Sequence, residues 1–94
     1  MSVGLLKLSF HLDGCDSLKE KRGRLRGLKD RFGRQPQLAV CEAAHADRLD
    51  RSEWWFVATA SHPGVVERTL AQVGRDVEER VDALVIDVQR EWLA

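Results

Sequence analysis

The chain is short of the features that most readily announce a function. It has two cysteines in 94 residues, Cys15 and Cys41, with no C-x-x-C or H-x-x-x-H spacing anywhere. A disulfide scaffold and a short-spaced zinc site are therefore excluded as the basis of the fold. Two prolines and seven glycines leave no Pro-rich or Gly-rich stretch to serve as a linker. Tyrosine is absent, and the aromatics are three Trp and three Phe, too few for an extended stacking platform. Charge of one sign is also lacking: fifteen basic residues balance fifteen acidic ones, so no global field argues for nucleic acid. The longest apolar run, residues 54–58, is far too short to span a bilayer. No charged n-region leads into an apolar stretch at the N-terminus. The expectation is one domain over residues 1–94, soluble and cytoplasmic, large enough to bury its own core.

What is present is a change of hydrophobic period. Leu6, Leu8, Phe10 and Leu12 alternate with Val3, Leu5, Lys7, Ser9 and His11, a strand with a large apolar face. Asp13-Gly14-Cys15-Asp16 then turns the chain, and Ser17 with Glu20 forms the S-x-x-E signature of a helix start. A helix over 18–33 follows, with Leu18, Leu25, Leu28 and Phe32 as its apolar stripe. Strands are expected over 37–45 and 53–60, joined by a polar hairpin over 46–52. A second helix begins at Ser61-His62-Pro63 and buries Val66, Leu70, Val73 and Val77. A last strand is expected over 82–89, with Val85 on the outer face and residues 89–94 as a tail. The order β-α-β-β-α-β with right-handed crossovers gives an α+β, ferredoxin-like fold: a four-stranded antiparallel sheet, order 4-1-3-2, with two helices on one face.

Leu12-Asp13-Gly14, Ser17-Leu18-Lys19-Glu20-Lys21-Arg22, Val40-Cys41-Glu42 with His45 and Asp47, and Arg51-Ser52-Glu53 together resemble the YlxP-like family of small bacterial proteins. The resemblance covers nearly the whole chain. It implies a ferredoxin-like fold with no established activity. Some members of that family are encoded beside translation and ribosome-maturation factors, which implies RNA or the ribosome as a partner. The chain departs from the family after Asp47, where Arg48-Leu49 stand in place of Leu-Trp.

The charge is unevenly placed. Residues 19–34 carry eight Lys or Arg against Glu20 and Asp30. Lys19, Lys21, Arg22, Arg24, Arg26 and Lys29 are the expected contacts for an anionic partner, either RNA or an acidic protein. Glu42 shares a face with Leu38 and Val40 and is expected to pair with Arg22 at the end of the core. The outer sheet face, with Val3, Leu5, Trp55, Val57 and Val85, is expected to be apolar and to join two copies into a homodimer. The RNP pattern of RNA-binding sheets is absent from that face. No nucleophile, base and stabiliser come together, so no catalytic residue is assigned, and His11, His45 and His62 offer no metal or cofactor site. A sensor with a pocket between subunits would leave no motif. The leading expectation is a non-catalytic binding module, with a protein-interaction subunit as the alternative.

Overall fold

A computed structural model describes all 94 residues. The elements run β1 (Ser2–His11), α1 (Leu18–Phe32), β2 (Leu38–Ala44), β3 (Arg51–Ala60), α2 (Pro63–Arg80) and β4 (Leu84–Trp92). The sheet is antiparallel, in the order β2-β3-β1-β4, so β2 and β4 are its edges. This is the ferredoxin-like arrangement expected from the sequence. α1 rests on β2, whereas α2 rests on β1 and β3. No helix is long and apolar enough to cross a membrane.

The core lies between the helices and the sheet. Leu6, Leu8, Phe10 and Leu12 of the first strand segment meet Leu25, Leu28 and Phe32 from α1 and Val66, Leu70, Val73 and Val77 from α2. Phe32 and Phe56 meet edge to face at its centre, with ring centroids 5.7 Å apart. Gly4 lets α2 approach β1: a Cβ there would stand 2.6 Å from Val66 Cγ1.

Three expectations are corrected. The fourth strand does not stop at 89. It pairs with β1 as far as Trp92↔Gly4, and Leu93 N–H donates to the Val3 carbonyl while Val3 N–H donates to that of Ala94. The expected tail is therefore part of the sheet. Second, the β1–β4 ladder shifts register between Ser9 and Phe10, leaving Ile86 as an extra residue. That bulge reverses the alternation, so Val85 faces Phe10 and packs on the core, not on the outer face. Third, Leu18 is exposed, and Lys21 takes the buried place in its stripe.

Neither helix covers β4, so its helix-side residues Val88 and Trp92 stay exposed. That edge carries Asp87, Arg90 and Glu91 as well as the bulge, devices that discourage strand addition.

Candidate anion-binding helix

The helix begins where Ser17 Oγ accepts from Glu20 N–H at 3.0 Å. Glu20 reaches back one residue beyond the cap and accepts the Asp16 N–H at 2.8 Å. That backbone hydrogen bond is the main reason the Glu20 carboxyl is held below its ordinary range, with a smaller contribution from the Cys15 thiol. Burial, and then Glu20 itself, pushes the Cys15 thiol up.

The seven cations of α1 do three different things, and Arg34 lies just beyond the helix. Lys21 is structural. Only 4% of its side chain is exposed, and its ammonium meets three acceptors: the His45 carbonyl at 2.8 Å, Glu42 Oε2 at 3.2 Å and the Ala46 carbonyl at 3.4 Å. An ammonium has three donors, so Lys21 has none to spare for a ligand. Ser52 Oγ donates to the same Glu42 oxygen, Oε2, at 2.5 Å, and Trp54 Nε1 donates to Ser52 Oγ at 2.8 Å. The partner of Glu42 is thus Lys21, not Arg22. One residue along a helix turns a side chain by about 100°, which carries Lys21 into the core stripe and Arg22 out of it. His45 adopts φ 64°, turning its carbonyl-bearing loop over the Lys21 ammonium. The residues that carry the family resemblance therefore converge: buried Lys21 and Ser52 meet half-buried Glu42 and the backbone carbonyl of exposed His45 in one lock at the end of the core.

Arg24 and Arg31 face α2. Arg24 donates to the Asp82 carbonyl at 2.7 Å and the Asp13 carbonyl at 2.8 Å, and its Nε lies 3.3 Å from the Asp82 carboxylate. Arg31 pairs with Asp76 at 3.4 Å and lies over the Phe32 ring. Both line a groove of about 830 Å³ between the helices, where Arg24, Arg31, Arg34 and Arg80 are offset by Glu20, Asp30, Asp76 and Asp82. The expected role of Lys21 and Arg24 as anion contacts is corrected: both are occupied within the chain.

Lys19, Arg22, Arg26 and Lys29 remain. All four are exposed and none takes part in an ion pair. Their spacing of 3, 4 and 3 places them in one stripe along α1, about 15 Å long at 1.5 Å per residue. Of the helix's two exposed acids, Asp30 lies beside them, and Glu20 is engaged with the Asp16 N–H.

The outer sheet face is less apolar than expected. Leu5 is already sealed within the monomer at 3% exposure. Lys7 Nζ lies 4.8 Å above the Trp55 ring and 3.5 Å from Glu91, and Trp55 Nε1 donates to Glu53. On β4 the same face carries Asp87, Gln89 and Glu91, opposite Ser9, Lys7 and Leu5. Val3, Trp55 and Val57 are half-buried. Cys15 and Cys41 are free thiols, and no three His, Cys, Asp or Glu side chains converge as metal ligands would.

A small α+β domain with two helices on one side of a four-stranded sheet, and one helix studded with unpaired cations, is what the fold and site define. The chain belongs to the family described as Protein of unknown function (DUF503), whose description matches residues 3–90. No curated protein matches it.

Proposed function

We propose that this chain is a non-catalytic binding module that meets an anionic macromolecule along α1. One observation carries the reading: Lys19, Arg22, Arg26 and Lys29 form a single unpaired stripe, while the other cations of α1 that could have joined it are bonded inside the protein or across to α2. Exposed like charges in a row repel one another by a few tenths of a kcal/mol per pair, so the stripe adds nothing to stability by itself. Ribosomal or other RNA and an acidic protein segment both fit this surface. The free edge of β2 beneath the stripe favours the protein.

The test is fluorescence anisotropy with a labelled single-stranded RNA and a labelled acidic peptide across a salt series. Four phosphate contacts give a slope of log K against log salt of about −2.8 for single strands. Replacing the stripe together (K19E, R22E, R26E, K29E) abolishes binding, whereas R34Q leaves it nearly unchanged. Absence of binding to both probes at about 50 mM salt, where such contacts are strongest, removes the reading.

Self-association through the outer face belongs to the same proposal in reduced form. With Val85 turned inward and Leu5 already covered, what supports it is the small patch of Val3, Trp55 and Val57. A patch of that size suits a weak, concentration-dependent pair and not an obligate dimer.

A further inference from the structure

We infer that the free edge of β2 accepts an extended acidic segment of a partner protein as a fifth strand, with its carboxylates meeting the cations of α1. This rests on the reading of α1 as a binding surface and names the partner of that surface.

The backbone of β2 is open on one side. Thr59 N–H donates to the Gln37 carbonyl, and Leu38 pairs with Ala58. In an antiparallel ladder successive residues alternate between facing the partner strand and facing away. Residues 37, 39 and 41 therefore turn their backbone groups to β3, and 38, 40 and 42 turn theirs outward. The Leu38 N–H is taken by the Gln35 carbonyl in the preceding turn. That leaves the Leu38 carbonyl, both groups of Val40 and the Glu42 N–H as a row of donors and acceptors for a guest strand.

The edge is also unguarded. Between Leu38 and Ala44 the only charged side chain is Glu42, and its carboxylate is held by Lys21 and Ser52. Proteins commonly blunt edges with charges, prolines and bulges. β4 is blunted by charges and a bulge, and β2 between Leu38 and Glu42 is not; its one irregularity falls at Ala43.

The cations overhang this edge. Arg24 and Arg31 mark the flank of α1 that faces α2. Arg22 and Lys29 lie on the opposite flank, and the strand beneath α1 is β2 itself. A strand spaced about 4.8 Å beyond β2 thus lies under Arg22 and Lys29. A guest residue opposite Val40 points to the helix side, as do its neighbours two positions away. Acidic residues at alternate positions would meet the cations, and small apolar ones between them would lie beside Ala39 and Cys41. Charge complementarity decides against a second copy at this edge, because pairing β2 with β2 would set two cation stripes side by side. RNA has no use for an alternating row of N–H and C=O groups.

The probe is a labelled, end-blocked peptide of alternating Glu and Val, compared with one N-methylated on every Glu and one N-methylated on every Val. An antiparallel guest uses the Glu amides and a parallel guest the Val amides, so one methylated peptide binds about tenfold more weakly than the parent and the other does not. The double variant R22E/K29E weakens the unmethylated peptide about tenfold or more while its melting temperature stays near that of the parent. On binding, the Val40 and Glu42 amides gain protection from hydrogen exchange. Equal binding of all three peptides overturns the strand addition but leaves the stripe as a binding surface. So does binding of a labelled single-stranded RNA with none of the peptide. Binding of neither probe removes both.

Discussion

Lys21→Met tests the assignment of the lock. Methionine keeps most of the aliphatic stem but removes the ammonium and its three contacts, to Glu42, His45 and Ala46. Breaking a buried ion pair by deleting one partner costs about 3–5 kcal/mol, chiefly because the other charge is left behind. Glu42 keeps the Ser52 hydroxyl and is 26% exposed, so water recovers part of that loss. The two carbonyls belong to the exposed loop residues His45 and Ala46 and can rehydrate. A net destabilisation of about 2–4 kcal/mol follows. For a domain of this size it lowers Tm by about 10–25 °C. Arg22→Met, one residue along and free of any ion pair, should change stability by no more than about 0.5 kcal/mol. Urea unfolding of K21M, E42Q and their double variant gives the coupling directly: removing both partners should cost clearly less than the sum of the single losses. A K21M variant melting within about 2 °C of the parent, or an R22M variant as damaged as K21M, would refute the argument.

Other outcomes can be checked alongside. Gly4→Ala places a methyl group 2.6 Å from Val66 Cγ1 and 3.2 Å from Leu70 Cδ1, so α2 or its side chains must shift. A loss of about 1–3 kcal/mol in urea unfolding is expected, and no loss would show that the α2 contact has slack. Glu20 has a folded-state pKa below its unfolded one, so its contribution is present above the ordinary carboxyl range and disappears as pH falls through the folded value. The parent should therefore out-melt E20Q at about pH 7, and the gap should shrink as pH falls below the ordinary carboxyl range; a constant gap contradicts the Asp16 hydrogen bond as its source. Light scattering should give a monomer mass at about 20 μM that rises by about 200 μM, with Trp55→Ser abolishing the rise; constant mass in the parent ends the outer-face pairing.

Much of the fold is written in the periodicity of the chain. The alternation of Leu6, Leu8 and Phe10, the cap at Ser17 and the stripe of Val66, Leu70, Val73 and Val77 all lie where the sequence places them. The end of the last strand is not legible because no helix covers it. An uncovered edge has no need of a consistent apolar face, so Arg90 and Glu91 read as the polarity of a tail. The bulge at Ile86 is a backbone event without a residue signature here, and it alone turns Val85 inward. Lys21 carries a signal of its own. Residues 21, 25, 28 and 32 are spaced 4, 3 and 4, a better core stripe than one starting at Leu18, but a lysine in that register is read as polar before it is read as buried. The acceptors that make its burial tolerable come from residues 42, 45 and 46, and only the folded chain brings them together. The cation stripe was legible as charge; which of its members were free was not, because that depends on the acids and carbonyls of distant elements.

The two rims of the sheet are unequal, and the inequality sets a stoichiometry. Head-to-tail growth needs each molecule to offer one receptive rim and one that can be received, and a rim that is kinked and charged cannot be received. Strand addition at β2 therefore terminates after a single guest and builds no fibres.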